Sequence, residues 1–465
     1  MKAGARHPDR DRLRRGGHGA LPRYASYPAM DRFVEAFASD DHALALRQRR
    51  ASVTAGAGPL SLYVHIPFCQ SLCYFCNCNK TIAPQRQQAT AYLRYLEREV
   101  DLLTAELGTG QSLSRLHVGG GTPTFLSDEQ LGHLMALLRH GFTVTRATDQ
   151  SIEVDPRTVD AQRLMGLLEL GFKHVSFGVQ DIEPTVQEAV NRLQSAESVV
   201  RLVNEARQIG FASINLDLIY GLPRQTPDSF DRTMAQMTSL RPDRVSLYAY
   251  GQQPERALAQ RRFAQTELPS ALARQAMHSR AVLRLLDAGY CYIGMGEFAL
   301  AQDALEIARR HGLLQRDFQG YYAGIGADLL GLGVSAAGRM GATYSQNARA
   351  MADYCDLLDH GRLPVVRGLA LTRDDLVRRA VIMALMCQGE VSFEGIELSY
   401  LLDFSSYFAS ELAALERLGE DGLVTLSQDR IQVTAKGLFV IEAIACVFDR
   451  YLQSDRARQR SPQPI

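Results

Sequence analysis

The stretch Leu60-Ser-Leu-Tyr-Val-His-Ile-Pro-Phe-Cys69-Gln-Ser-Leu-Cys73-Tyr-Phe-Cys76-Asn-Cys78 joins an apolar run to four closely spaced cysteines. The apolar run has the length and composition of a buried β-strand. The first three cysteines follow the spacing C-x3-C-x2-C, in which three thiolates can hold a [4Fe-4S] cubane and leave one iron without a protein ligand. We therefore predict a cluster bound by Cys69, Cys73 and Cys76 just after the first strand.

An open iron of this kind can bind the amino and carboxylate groups of S-adenosylmethionine (SAM), and an electron from the cluster then releases a 5'-deoxyadenosyl radical. Two other interpretations of the cysteines remain open. Structural zinc usually takes four ligands, often as two spaced pairs. A disulfide needs an oxidising compartment, whereas this long chain shows no secretory leader. Tyr74 and Phe75, between the ligands, favour a site shielded on one side.

Composition predicts a globular protein of two or three domains. Of 465 residues, 46% are hydrophobic, and 51 Lys and Arg balance 51 Asp and Glu, so no net charge favours nucleic acid or an anionic membrane. The arginine-rich N-terminus has no apolar segment typical of a signal peptide. No uninterrupted apolar run is long enough to span a bilayer. We expect a soluble, cytoplasmic protein.

The order of the elements predicts an α/β fold. Short β-rich runs recur near 60–66, 114–118, 150–154, 173–178, 213–219 and 243–249, with helical patterns between them. Six such units are too few for the usual eight-unit barrel, so we predict a partial (β/α)6 barrel with its active residues at the carboxyl ends of the strands.

Three further segments complete the predicted domain organisation. Residues 1–57 form an N-terminal extension, 58–300 the barrel core, 301–365 a connecting segment that covers the active site, and 366–465 a mainly helical C-terminal domain. Helices and a hairpin near 423–434 also suit a winged-helix module, but the segment lacks a basic face with interleaved aromatic residues. We therefore predict that this C-terminal domain is a lid that covers the mouth of the active site.

Polar residues end several predicted strands. Gly119-Gly-Gly-Thr-Pro123 lets the backbone approach a ligand and offers N–H groups to a carboxylate, although a glycine run is often just a turn. Glu153 lies in an apolar strand and needs a cation or hydroxyl partner, in a ligand or in a structural salt bridge. The same reasoning applies to three further polar residues at the ends of predicted strands: Gln180, Arg192 and Asp217.

The Tyr63 side chain can either pack in the hydrophobic core or stack at the cluster site. His65 is more typical of a histidine that makes a structural hydrogen bond than of a metal ligand.

Several segments together resemble the oxygen-independent coproporphyrinogen III oxidases of the radical SAM superfamily. They include Pro22-Arg-Tyr-Ala-Ser-Tyr-Pro28, the cysteine segment Tyr63–Lys80, Gly119–Thr124, Asn215-Leu-Asp-Leu-Ile-Tyr-Gly-Leu-Pro223 and Arg316-Asp-Phe-Gln-Gly-Tyr321. The cysteine spacing alone identifies the superfamily, whereas Cys78 and the Pro-Arg-Tyr segment are narrower signals. The resemblance spans nearly the whole chain.

This resemblance implies that two propionates of coproporphyrinogen III become vinyls, giving protoporphyrinogen IX and two CO2 in heme biosynthesis. It implies two SAM molecules, the first lined by Tyr63, Gly120, Glu153 and Ala337. The second is lined by Phe75, Gly121, Thr122, Gln180, Arg192, Asp217 and Gly251. Tyr63, Glu153 and Cys78 take part in catalysis, and Cys78 is not a cluster ligand. A flavodoxin- or ferredoxin-type reductant, a monomeric state and no nucleic-acid or membrane partner are also expected.

Two segments depart from the family pattern. Tyr250-Gly-Gln-Gln-Pro254 stands where Tyr-Ala-His-x-Pro is expected, and Gly294-Met-Gly-Glu-Phe-Ala299 where Gly-Met-Asp-His-Phe-Ala is expected. A carboxylate at Glu297 should repel a propionate, so we expect slow turnover that the paired changes Gly296→Asp and Glu297→His improve. The alternatives are a divergent radical SAM enzyme acting on another tetrapyrrole and a non-enzymatic heme-binding chaperone.

Overall fold

The computed structural model describes residues 24–53, 58–83, 85–255 and 257–460. Its strands are β1 (Leu60–Ile66), β2 (Phe68–Cys69), β3 (Thr81–Ile82), β4 (Gln111–Gly120), β5 (Phe142–Thr143), β6 (Asp149–Val154), β7 (His174–Gln180), β8 (Ser213–Tyr220), β9 (Arg244–Ala249), β10 (Tyr290–Gly294), β11 (Glu297–Leu300), β12 (Leu314–Asp317), β13 (Gly320–Ala323), β14 (Asp328–Leu332), β15 (Ala337–Met340), β16 (Thr343–Asn347), β17 (Val365–Ala370), β18 (Glu390–Ser392), β19 (Val424–Leu426) and β20 (Arg430–Val433).

The α-helices are α1 (Ser39–Val53), α2 (Gln87–Leu107), α3 (Asp128–Gly141), α4 (Ala161–Leu170), α5 (Pro184–Ala189), α6 (Ala196–Ile209), α7 (Pro227–Ser239), α8 (Ala271–Asp287), α9 (Ala304–Arg310), α10 (Met351–Asp359), α11 (Arg373–Gln388), α12 (Phe393–Tyr400), α13 (Phe404–Tyr407), α14 (Ala409–Glu420), α15 (Ile441–Ala445) and α16 (Arg450–Arg460). No helix of these residues is both long and apolar enough to cross a membrane.

One large sheet organises the chain, in the order β10-β11-β9-β8-β7-β6-β4-β1-β14-β15-β16-β17, with β5 paired to β4. The six strands predicted from sequence are β1, β4, β6, β7, β8 and β9, and neighbouring members of this set pair in parallel. Each parallel return passes through at least one helix, from α2 to α7. The predicted partial barrel is confirmed.

Both edges of the parallel unit carry strands that the sequence pattern did not predict. The hairpin β10–β11 joins β9 in antiparallel register. On the other side β14 pairs in parallel with β1 and is followed by the antiparallel strands β15 to β17. The segment 301–365 therefore contributes strands to the main sheet, and β17 crosses the boundary predicted at residue 365.

The parallel strands bury one face and present polar residues on the other. In β6 the residues Gln150, Ile152 and Val154 are buried, while Asp149, Ser151 and Glu153 are half-buried, and β7 and β8 alternate in the same way. The buried face packs against the helices in the main hydrophobic core. The polar face lines the inside of the barrel, and the side chains available for chemistry are found there.

Helix α2 buries the apolar face predicted from its periodicity, together with one carboxylate. Glu99 accepts hydrogen bonds from Gly333 N–H (2.8 Å), Asn347 Nδ2 (2.6 Å) and Tyr354 Oη (2.6 Å). Burial raises the pKa of Glu99 to about 7 despite these donors. Tyr92 of the same helix donates to His65 O (2.8 Å). These contacts fix the turn at Gly333 against the end of β1.

The C-terminal part has its own hydrophobic core around α11. That helix begins at a capping box formed by Thr372 and Asp375. The predicted hairpin is β19–β20, and β18 adds a third strand to it. The helical pattern at 437–453 is interrupted, because α15 and α16 are separated by a 3-10 turn at Cys446–Phe448.

The N-terminal segment packs into that second core. Tyr24 Oη donates to Asp449 Oδ2 (2.9 Å), and Tyr27, which is fully buried, contacts the ring of Tyr451. Tyr344 Oη donates to Tyr27 O (3.1 Å). Residues 1–23, including Pro22 and Arg23 of the expected Pro-Arg-Tyr segment, lie outside the described residues.

Candidate active site

Cys69 ends β2, and the other three cysteines, Cys73, Cys76 and Cys78, lie on the loop between β2 and β3, beyond the carboxyl end of β1. Tyr74 N–H donates to Val190 O (3.0 Å), and Asn191 Nδ2 donates to Leu72 O (2.9 Å). Lys80 Nζ donates to Cys76 O (2.8 Å). These bonds anchor the loop to the segment that follows α5.

Hydrogen-bond donors approach the cysteine sulfurs. Cys73 Sγ accepts from Arg192 Nη1 (3.4 Å) and lies 3.7 Å from Arg157 Nη2, and Cys69 Sγ accepts from Thr122 Oγ1 (3.4 Å). A hydrogen bond with Cys78 lowers the pKa of Cys76 and raises that of Cys78, whereas burial raises the pKa of Cys69 to about 11. Donors and guanidinium groups stabilise thiolates, which are the form that binds iron.

No group of three or more His, Cys, Asp and Glu side chains in the described ranges is arranged to hold a single metal ion. In a [4Fe-4S] cubane each cysteine binds a different iron, so its thiolates are spaced more widely than the ligands of one zinc ion. This result does not test a cubane, so the assignment of Cys69, Cys73 and Cys76 as cluster ligands stays a prediction.

A cavity of about 490 Å³ lies inside the barrel next to this loop. All four cysteines line it, together with most residues expected at the cofactor: Phe75, Gly120, Gly121, Thr122, Glu153, Gln180, Arg192, Asp217 and Gly251. A second cavity of about 220 Å³ is lined by Tyr63, His65, His117, Glu153, Phe318, Gln319, Ser335 and Ala337. The structure thus gathers every predicted site residue around two adjoining cavities, while their individual roles stay predictions.

Glu153 lines both cavities and is held from two sides. Its Oε2 accepts from Gly120 N–H (2.9 Å), and its Oε1 lies 3.4 Å from His117 Nε2. Burial alone would raise the pKa of Glu153, but the hydrogen bonds from His117 and Gly120 outweigh it and hold this pKa below its ordinary value. Glu153 is therefore an anion at neutral pH, facing the space where a cationic ligand would bind.

The glycine run is needed for contacts within the protein. A Cβ at Gly120, which has a φ of +116°, would lie 2.7 Å from the His65 ring, and a Cβ at Gly121 would lie 2.7 Å from Pro67 O. Gly120 N–H donates to Glu153 and Gly121 N–H to Ile66 O (2.8 Å). The expectation that these N–H groups are free for a ligand carboxylate is therefore wrong for Gly120 and Gly121.

Arg192 is more closely tied to the protein than the sequence suggested. Its guanidinium is buried and donates to Gly178 O and to Asp155 Oδ2 (3.2 Å), in addition to Cys73 Sγ. Gln180, at the end of β7, has a φ of +69°, a left-handed conformation that turns the chain at the cavity rim. Both residues shape the wall beside the cluster.

Asp217 belongs to a network of strand side chains inside the barrel. It accepts from Ser176 Oγ (2.8 Å) and from Asn215 Nδ2 (2.9 Å). Burial, and then the nearby carboxylates of Glu153 and Glu297, raise the pKa of Asp217 to about 7. The carboxylates of Glu153, Asp217 and Glu297 thus lie close together in the lining of the larger cavity.

The first departure from the family pattern, Tyr250–Pro254, contacts the cysteine loop. Gly251 O accepts from Asn77 Nδ2 (3.2 Å) and from Gln260 Nε2 (3.3 Å). Gln252 is exposed. The backbone of Gly251 therefore keeps a place at the site, whereas the replaced side chain at position 252 points away from the buried part of the cavity wall.

The second departure, Gly294–Ala299, leaves no space for a side chain at position 296. Gly296 has a φ of +84°, and a Cβ there would lie 2.3 Å from Leu247 O. An aspartate at this position requires the backbone to move, so the paired changes Gly296→Asp and Glu297→His are not a simple restoration. Glu297 itself is not a free charge at the mouth, because two hydroxyl groups donate to it, those of Ser246 (2.7 Å) and Tyr248 (2.9 Å).

Sequence reasoning missed several cavity-lining residues. His117 stacks on Tyr63 with 5.9 Å between ring centroids, and Ser176, Asn215 and Ser246 carry the hydrogen bonds inside the barrel. The strict alternation of polar and apolar residues along these strands could have indicated that their polar side chains line a cavity. A parallel strand covered by helices normally has apolar residues on both faces.

Comparison with known proteins agrees with this geometry. Residues 63–237 match the Radical SAM superfamily, and residues 371–440 match the HemN C-terminal domain. The oxygen-independent coproporphyrinogen III oxidase of Pseudomonas aeruginosa is 47% identical over 93% of this chain and 94% of its own length. The enzyme of that name from Escherichia coli K12 is 43% identical over 96% of both chains.

A solved structure is similar over the same extent. The coproporphyrinogen III oxidase HemN from Escherichia coli, a radical SAM enzyme, superposes with a TM-score of 0.88 at 42% identity, covering 92% of this chain and 97% of that one.

Fold, cysteine loop and cavities together define a radical SAM enzyme, whose cofactors are a [4Fe-4S] cluster and SAM. Within that class, the chain belongs to the oxygen-independent coproporphyrinogen III oxidases.

Proposed function

We propose that this enzyme converts two propionates of coproporphyrinogen III into vinyl groups, giving protoporphyrinogen IX and two CO2 in heme biosynthesis. The observation that carries the proposal is that the three cluster cysteines and the polar residues used by the family surround one cavity of about 490 Å³. Each propionate, as its carboxylate, loses a hydrogen atom from its β-carbon, CO2 and one electron. No proton transfer is required, so the site has to bind, orient and exclude water.

We assign Cys69, Cys73 and Cys76 to the cluster, which supplies, when bound, the electron that cleaves SAM into the radical needed for hydrogen abstraction. Cys78 does not bind iron in this proposal. Its thiol is hydrogen-bonded to Cys76, which supports a role in tuning that ligand. The Lys80 ammonium, bonded to Cys76 O, adds positive charge beside the same sulfur.

Two SAM molecules would occupy the two adjoining cavities. Glu153, an anion between them, would hold the ammonium of the first, and Tyr63 and Ala337 would complete that site. Asp217 and Gln180 would contact the second, deeper in the barrel. Gly120 and Gly121 pack so closely against His65 and Pro67 that neither position has space for a Cβ.

Reduction requires a partner that approaches the cysteine loop, and we infer a small flavodoxin- or ferredoxin-type protein acting on a monomeric enzyme. Exposed positive charge borders the loop: Arg262 donates to Tyr74 Oη (3.1 Å) and lies over its ring, and Arg261 is its neighbour. Such a border suits an acidic electron carrier.

One anaerobic assay tests the proposal. The reconstituted enzyme is mixed with SAM, a low-potential reductant, an electron acceptor and coproporphyrinogen III, and the oxidised products are separated by chromatography. We expect protoporphyrin with a three-propionate intermediate. Cleavage of SAM without any vinyl product would refute the assignment of substrate.

A further inference from the structure

Glu297 lies in a part of the molecule that the superfamily match does not include. The match ends at residue 237, whereas Glu297 begins β11 and pairs opposite Ser246 of β9. The turn before it is fixed by three consecutive residues with positive φ: Gly294 (143°), Met295 (54°) and Gly296 (84°). Leu247 N–H donates to Gly296 O (2.8 Å). The hairpin therefore presents the carboxylate from a rigid support outside the shared cofactor-binding unit.

The carboxylate is anchored but still has free acceptor capacity. Ser246 Oγ donates to its Oε2, and Tyr248 Oη donates to its Oε1, so each oxygen accepts one of the two hydrogen bonds that it can take. Ser246 Oγ also accepts from Asn215 Nδ2 (3.0 Å), which donates to Asp217 as well. Glu297 and Asp217 are thus linked across the lining of the larger cavity.

The chemistry of this wall selects its ligand. Glu153, Asp217 and Glu297 lie close to one another in the cavity lining. The arginines of the same lining are each paired with an aspartate outside this group: Arg115 with Asp317, Arg157 and Arg192 with Asp155, and Arg244 with Asp303. A propionate is disfavoured against three carboxylates, whereas a neutral N–H donor is favoured. In a porphyrinogen four pyrrole N–H groups converge on the centre of a flexible, puckered ring, with the propionates on its outside.

We propose that Glu297 binds the tetrapyrrole by accepting hydrogen bonds from its pyrrole N–H groups, and so determines which oxidation state of the macrocycle is bound. The inference rests on the proposed function, because it assumes a tetrapyrrole in the larger cavity. The resemblance gives Asp217 to SAM, and Asp217 is linked to Glu297 through Asn215 and Ser246, so SAM is the competing ligand that the test has to separate from the tetrapyrrole.

The test compares two ligands that differ in N–H groups. Coproporphyrinogen III has four, and copper coproporphyrin III has none and carries the same propionates. Dissociation constants are measured by anaerobic equilibrium dialysis for the holoenzyme, for Glu297→Gln and for Glu297→Ala, with SAM binding measured in parallel. Glu390→Gln, which changes a half-exposed carboxylate of β18 paired with Arg430, is the matched control. Iron content and near-UV circular dichroism report folding, and Glu297→Gln retains the shape of the side chain.

We expect the Glu297 variants to bind coproporphyrinogen about tenfold more weakly, because a charge-assisted hydrogen bond is lost, and to bind the copper complex within twofold of the unchanged enzyme. Equal loss for both ligands, no loss for either, or a loss confined to SAM would overturn the inference. Vinyl formation by the unchanged enzyme is scored separately, so N–H-dependent binding without vinyl product would refute the proposed function and leave the inference standing. Failure of the unchanged enzyme to bind coproporphyrinogen would overturn both.

Discussion

Replacing Glu153 by glutamine is expected to weaken SAM binding without disturbing the cluster. The carboxylate accepts from Gly120 N–H at 2.9 Å and lies 3.4 Å from His117 Nε2. Its pKa is held below the ordinary value, so the side chain is anionic throughout the neutral range. Glutamine keeps one oxygen for Gly120 but removes the charge and places an NH2 group where the second oxygen stood.

The magnitude follows from the loss of one charged partner. A hydrogen bond between charged groups contributes about 1.5–3 kcal/mol, which corresponds to roughly a 10- to 100-fold increase in the dissociation constant of SAM. The cysteines are untouched, so iron and sulfide content should equal that of the unchanged enzyme.

Equilibrium binding of SAM to anaerobically reconstituted enzyme measures the effect, with iron analysis on the same samples. Glu106→Gln on α2, which removes an exposed ion pair with Arg47 of α1, is the control and should change nothing. A dissociation constant for Glu153→Gln within twofold of the unchanged enzyme would remove Glu153 from the SAM site. Loss of iron would show that its role is to support the cysteine loop.

Three other predictions concern the cluster, the glycine run and a buried acid. Alanine at any one of Cys69, Cys73 or Cys76 should abolish the [4Fe-4S] spectrum and the reductive cleavage of SAM. The Cys78→Ala variant should keep its iron and lose turnover. Loss of iron in Cys78→Ala would mean that the cluster ligands are misassigned. Gly121→Ala places a Cβ 2.7 Å from Pro67 O and should destabilise the fold by about 1–3 kcal/mol. The control Gly132→Ala, on α3 with open space around it, should be neutral or stabilising in thermal unfolding. Equal melting temperatures for the two variants would contradict this prediction. Because burial raises the pKa of Glu99 to about 7, the folded state binds a proton that the unfolded state has released between about pH 4.5 and 7, so this residue makes stability fall as the pH rises through that window. In Glu99→Gln that part of the pH dependence, on the order of 2–3 kcal/mol, should be absent from urea unfolding at pH 5 and pH 8, and an unchanged slope would show that Glu99 is ionised in the folded state.

The parallel core could be predicted from sequence because its signals are local. Each of its strands is a short β-rich run bounded by a helix with its own periodicity, and α3 begins at a capping box that is visible as Ser127 with Gln130. Strands β14 to β17 could not be placed in the same way. They join the parallel core through the pairing of β14 with β1, which depends on residues more than 250 positions apart, such as Leu60 and Asp328, and which no local pattern encodes.

In the candidate site, too, sequence patterns identified residues but not the contacts between residues that are distant in the chain. The cysteine spacing and the resemblance identified residues that the structure gathers around the two cavities. What sequence reasoning could not supply was the set of internal partners. The donation of Gly120 N–H to Glu153, and the hydroxyl groups on Glu297, depend on which side chains of neighbouring strands meet in register. The hydrogen bonds that Glu297 accepts from Ser246 and Tyr248 were therefore not foreseen, while the expected repulsion of a propionate stays a prediction.

The burial of Tyr24 and Tyr27 in the C-terminal core has a consequence for synthesis of the chain on the ribosome. Tyr24 reaches its partners Cys446 and Asp449 across 422 and 425 positions of sequence. Nearly the whole polypeptide has therefore left the exit tunnel before these two tyrosines can be covered. Until then these two tyrosines are apolar surface open to chaperones, and a chain that terminates before residue 446 would leave them exposed.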